Sequence, residues 1–348
     1  AGLARAGRTV PGVDAEVMLR HGPLMALGFL GTLIVTERAV GFRYPWLWAG
    51  VAASALGTLL LLAGGPERAA GVSFAGAALL VALAFSLHLV RRRDAPGAAM
   101  LLGALSWAVS AGAFAAGVSQ PRLALWWAAF LVLTIVGERL ELGRFGIRSP
   151  FGWSAFVSSL ALVVAGALAG FASTEIGAGA AGAGFALLAI WGLRHDIVRR
   201  TVRIPGRARF SAAALLAGYA WLGAAAVLWP IAAPTFAGGL RYDAALHALF
   251  LGFVLSMVFG HAPTILPAVT GVRLRFTRLF YGHLSLLHAG VVVRVLGDLA
   301  GEPDLRRVGA ELNVAAVLLF LVVTAGAGIA SRAPLGRLSE GGSGAPAR

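Results

Sequence analysis

The sequence predicts an all-α fold, a polytopic transmembrane helix bundle forming a single domain over residues 1–348. Three observations predict it. Of 348 residues, 59% are hydrophobic and the mean hydropathy is +0.83. Only 13% are charged, about half the ~25% of a soluble domain. Apolar runs of roughly 17–25 residues, the length needed to cross the hydrocarbon core, recur along the whole chain.

Eleven spans follow from these runs: 20–37, 46–64, 70–90, 97–118, 122–138, 152–171, 176–194, 210–230, 243–263, 277–299 and 309–331. Many are rich in Ala and Gly, which lets helices approach closely in lipid. The chain begins at Ala1 rather than Met, and we expect a further span ahead of it, for a total of twelve. All 29 basic residues are Arg and the net charge is +14. Nucleic acid is not the expected partner, because the arginines sit in short loops between apolar runs. Arg43, Arg91–Arg93, Arg144, Arg148, Arg194, Arg199, Arg200, Arg203, Arg207, Arg273, Arg275, Arg278, Arg332 and Arg337 fall on one side. The other side carries Arg5, Arg8, Arg20, Arg68, Arg122, Arg241, Arg306 and Arg307. By the positive-inside rule the first side is cytoplasmic. The expected location is the bacterial inner membrane, with the N-terminus outside and the C-terminus inside.

The chain contains no Cys. Iron–sulfur clusters, thiolate copper sites, covalently attached c-type haem and disulfides are thereby excluded. A metal would need His, Met, carboxylate or backbone ligands.

A faint repeat links His21–Glu37 (HGPLMALGFLGTLIVTE) with Arg122–Glu138 (RLALWWAAFLVLTIVGE). The two share Phe29/Phe130, Ile34/Ile135, Val35/Val136 and a terminal Glu-Arg, and a looser third copy begins at His247. With one span ahead of residue 1, these become the second helices of three four-helix units, at 1–95, 96–208 and 209–335.

Ionisable residues within spans are costly in lipid and are functional candidates. His21 opens one span and His247 lies about one turn into another, both at the outer side. Two axial ligands of one b-type haem need such matched depth. His261 follows His247 by 14 residues, nearly four α-helical turns, which would put both rings on one face. His283 and His288 lie five residues apart, about 140° around a helix, and cannot easily share an ion. One of them is expected to face His261 and the other a different neighbour. Asp14 and Glu16 could orient His21. Tyr281 and Asp298 are further polar groups, and Met25 and Met257 read as packing residues. Glu37-Arg38 and Glu138-Arg139 end their spans on the cytoplasmic side, as interfacial ion pairs or as a proton entry. His88 and His195 read as interface residues.

The stretches HGPLMALGFLGTLIVTERAV and HALFLGFVLSMVFGHAPTILPAVTG resemble the early and late histidine spans of the NnrS family. Members of that family are twelve-span membrane proteins that bind haem and copper and are linked to nitric oxide metabolism. The first stretch also resembles the histidine-bearing second helix of haem–copper oxidase subunit I. The resemblance covers mainly 20–40 and 245–298. It implies His21 and His247 as haem ligands, and His261 with His283 or His288 as a second metal site. Two departures stand out. RHGPLM carries one histidine where the family's early spans usually carry two, and the helix starting at Arg122 has none, which argues against oxygen reduction. The leading expectation is thus a membrane haem or haem/copper protein of nitric oxide metabolism or electron transfer, with a quinone or a cytochrome as donor. Its alternatives are a histidine-dependent, proton-coupled transporter or channel, and a structural subunit of a homo-oligomer or larger membrane complex.

Overall fold

The computed structural model describes residues 2–5, 7, 15–142, 150–236 and 238–332, and their regular structure is helical throughout. Among the described residues eleven helices of more than ten residues build the bundle: α1 (His21–Phe42), α2 (Leu47–Leu62), α3 (Glu67–Arg91), α4 (Ala95–Ala115), α5 (Gln120–Leu142), α6 (Pro150–Ala169), α7 (Thr174–His195), α8 (Arg207–Thr235), α9 (Leu240–Thr270), α10 (Leu279–Ala300) and α11 (Pro303–Ser331). Ten are long and apolar enough to cross a membrane, and the chain is a multi-pass membrane protein. Each of the eleven expected spans has its helix. The difference is α2, whose 16 residues rise about 24 Å, short of a hydrocarbon core of ~30 Å. Its ends are set by Pro45 before it and by Gly64 after it, whose φ of 75° only glycine takes without strain.

Local chemistry closes the other helices. Asp94 Oδ1 accepts from Gly97 N at 2.9 Å and caps α4. Ser173 Oγ accepts from Ile176 N at 3.3 Å at the start of α7. Gly271 and Gly301 end α9 and α10 in the left-handed conformation.

Consecutive helices pack side by side, and α5 lies innermost, with 94% of its most apolar stretch buried. The three segments compared in the sequence, α1, α5 and α9, meet one another there. Arg38 of α1 reaches Glu138 of α5, Arg139 of α5 reaches His261 of α9, and α1 packs on α9 over Gly31–Phe42 and Ser256–Thr270. Some of the small residues are packing devices. A Cβ on Gly71 would lie 2.7 Å from Ala115 N, and one on Gly309 would lie 2.4 Å from Arg294 N. Others, such as Gly76 and Gly112, face open space.

Two of the three central helices are not uniformly α. Leu24–Leu30 of α1 and Ala248–Leu255 of α9 are π-helical, while α5 is α-helical from end to end. Such stretches are rare and concentrate at functional sites. The one in α9 also overturns an expectation. A wider turn sets the downstream face back by about one residue, roughly 100°. The count of 14 residues therefore does not put His247 and His261 on a common face, and their neighbours differ accordingly.

Candidate functional site

His21 is the first residue of α1, and its surroundings are anchored on three helices. Arg20, buried, donates to Leu61 O at 3.0 Å, pairs with Glu16 and lies 3.5 Å from Glu67. Gln120 Nε2 donates to Leu19 O at 2.6 Å. A Cβ on Gly22 would lie 3.0 Å from the Trp127 ring, so α1 and α5 are in close contact one residue from the histidine. Glu16, expected near His21, pairs with Arg20, and Asp14 lies outside the described residues.

His247 sits at the same end of the bundle, at the last α-helical residue before the π-helical stretch of α9. Its Nδ1 lies 2.8 Å from Asp243 O. A carbonyl only accepts, so Nδ1 carries a proton, and in a neutral ring the lone pair is then on Nε2, the form in which imidazole binds a metal. The Asp243 carboxylate lies 3.3 Å from the same nitrogen. Asp243 is itself held at 2.8 Å by Arg294 Nη2 and lies 3.5 Å from Arg306, whose Nε is 3.0 Å from Asp298 Oδ1. Two carboxylates thus face two guanidiniums across α9, α10 and α11, with the imidazole at one edge. A cleft lined by Arg241 and Asp298 adjoins them.

The other three histidines considered as ligands each have their own neighbours. His261 Nδ1 donates to Met257 O at 2.8 Å, and its Nε2 accepts from Arg139 at 3.3 Å. Trp221 Nε1 donates to His288 Nδ1 at 3.0 Å, and His288 Nε2 faces Ser256 Oγ at 3.3 Å. His283 is fully buried with no hydrogen-bond partner at either nitrogen. Phe210, Phe259, Phe280 and Phe320 surround it edge-on, with ring centroids 4.9–5.9 Å away. Among the described residues no group of three or more His, Asp or Glu could hold a metal ion. Met257 is buried beside Gly218, whereas Met25 is exposed on α1.

A second polar network occupies the arginine-rich end. Asp196, just past α7, receives both Nε and Nη2 of Arg139 at 2.8 and 2.7 Å, and the Tyr219 hydroxyl at 2.6 Å. It also caps Val198 N at 3.1 Å. This binds α5, α7 and α8 together and, through His261, α9. Next to it Arg38 pairs with Glu138 and lies 3.3 Å from Glu37. His88 lies 3.3 Å from Asp94, and His195 is the last residue of α7.

Asp243, Arg294, Arg306, Asp196 and Tyr219 were not singled out by the sequence reading. Arg294 was open to detection, being a lone charge inside the apolar run GVVVRVLG. Asp243 was also open to detection, one helical turn before His247.

The family described as a domain of unknown function, DUF8744, matches residues 1–329. The chain belongs to that family. No curated protein and no solved structure matches it.

Proposed function

We propose that this chain is a membrane haem protein, holding one b-type haem through His21 and His247 near the end of the bundle opposite the arginine-rich loops. The observation that carries the reading is the shared construction of α1 and α9. Each has a histidine directly before, or within three residues of, a π-helical stretch, and both helices flank the buried α5. The donor chemistry fits as well, since Asp243 O holds Nδ1 of His247, and metal-ligating histidines usually have their second ring nitrogen held in this way. Bound there, haem supplies reversible one-electron chemistry.

A haem held by two histidines would favour electron transfer, with a quinone or a cytochrome as donor. The link to nitric oxide metabolism comes from the resemblance to the NnrS family. The proposal is confined to haem, because the lone pairs of His261 and His288 are engaged by Arg139 and Trp221. The inner membrane, with the arginine-rich loops in the cytoplasm, is the setting that the loop charges favour. Haem extraction and iron analysis of the detergent-purified protein test the reading. One haem per chain is expected, and a preparation free of haem and iron would refute it.

A further inference from the structure

The turns that join α1 to α2 and α3 to α4 meet at the arginine-rich end. Arg91 Nη1 donates to the Tyr44 hydroxyl at 3.3 Å, and the Phe42 and His88 rings lie 6.0 Å apart. Between them the two turns expose four guanidiniums, those of Arg43, Arg91, Arg92 and Arg93. Among the described residues none of the four has a carboxylate partner. Asp94, next in the chain, caps α4 at Gly97 N and lies 3.3 Å from His88. Tyr44 is the middle ring of a stack, with Phe42 at 5.8 Å and Trp46 at 5.3 Å. Trp48 and Val90, at the same level on α2 and α3, are exposed. Arg43 carries a second signal. Among the described non-glycine residues it alone has a positive φ, 57°, and it ends α1 in the left-handed conformation that favours glycine. An arginine there is costly, and strain held at one position points to use of its side chain.

We propose that these two turns form a headgroup site for an anionic phospholipid in the leaflet on the arginine-rich side. Guanidiniums are always charged and match the oxygens of a phosphate in pairs. Tyrosine and tryptophan rings belong at the depth of the headgroups, which is where the stack lies at the ends of α1 and α2. Trp48 and Val90 offer apolar surface to the acyl chains. Charge complementarity selects the occupant. A zwitterionic lipid brings its own cation towards four others, and a soluble phosphate leaves the exposed apolar side chains uncovered. The site is independent of haem.

Native mass spectrometry of the detergent-purified protein, titrated with phosphatidylglycerol or phosphatidylcholine of identical acyl chains, tests it. The wild type should hold phosphatidylglycerol at least about tenfold more tightly. Arg43→Gly and Arg92→Gln should each weaken that binding roughly fivefold. The thermal midpoint of Arg43→Gly should be no lower than wild type, because glycine relieves the left-handed backbone. Its loss of lipid is then not a loss of fold, and Arg92→Gln decides alone should that midpoint fall. Arg199→Gln with Arg200→Gln removes two exposed charges that follow α7, and it should leave the binding unchanged. Glycerol 3-phosphate at millimolar concentration should not displace the lipid. The proposal is overturned if the two lipids bind equally or if the site variants keep wild-type affinity. It is also overturned if the pair after α7 weakens binding as much as they do, or if glycerol 3-phosphate displaces the lipid.

Discussion

Asp243 is the residue through which the environment of His247 is set. Its backbone carbonyl accepts from Nδ1 and its carboxylate faces the same ring nitrogen, while Arg294 holds the carboxylate in place. Groups that orient a ligand in this way typically matter 10–100-fold to metal affinity. Asp243→Asn should accordingly retain haem about 10–100-fold more weakly, as read from haem loss to a scavenging apoprotein, with the helical circular dichroism unchanged. Retention equal to wild type would remove Asp243 from the site. At the opposite end, Asp196 is fully buried and satisfies both Arg139 and Tyr219. Asp196→Ala leaves a guanidinium unpaired inside the bundle and should cost about 3–5 kcal/mol, measured from denaturant unfolding in detergent. Of these residues the histidines were legible in the sequence, because an imidazole in an apolar run stands out. Their partners were less so, because the meeting of Arg139, Asp196 and His261 depends on how four helices pack.

At the scale of the element, hydropathy located each of the eleven long helices, because lipid solvation acts on each span separately and leaves its length in the sequence. The π-helical stretches were not legible. Leu24–Leu30 and Ala248–Leu255 are ordinary apolar sequence, and a hydrogen-bonding register one residue wider has no composition of its own. That is why the expected common face of His247 and His261 failed. The role of individual glycines was likewise hidden until the neighbours were known. Gly71 touches the backbone of α4, while Gly76, one and a half turns later, touches nothing. Gly71→Ala should destabilise by about 1–3 kcal/mol through overpacking. Gly76→Ala should be neutral, or stabilising by up to about 1 kcal/mol. Thermal unfolding midpoints of the two variants, followed by circular dichroism, check the contrast, and equal midpoints would refute it.

Across the whole molecule, two polar networks lie at opposite ends of one apolar bundle. One surrounds His247 with Asp243, Arg294, Arg306 and Asp298. The other surrounds α5 with Arg38, Glu138, Arg139 and Asp196. Buried charges in such numbers are costly in lipid, and their segregation to the two ends keeps them out of the apolar middle of the bundle. α1, α5 and α9 connect the two ends, and α1 and α9 carry the candidate ligands. The most direct test of the account is the reduced-minus-oxidised absorption spectrum of the purified wild type beside His21→Ala and His247→Ala. The account predicts a b-type haem spectrum in the wild type, and loss of that spectrum in each variant while the helical content is kept. A wild type without haem, or single variants whose spectra match the wild type, would contradict it.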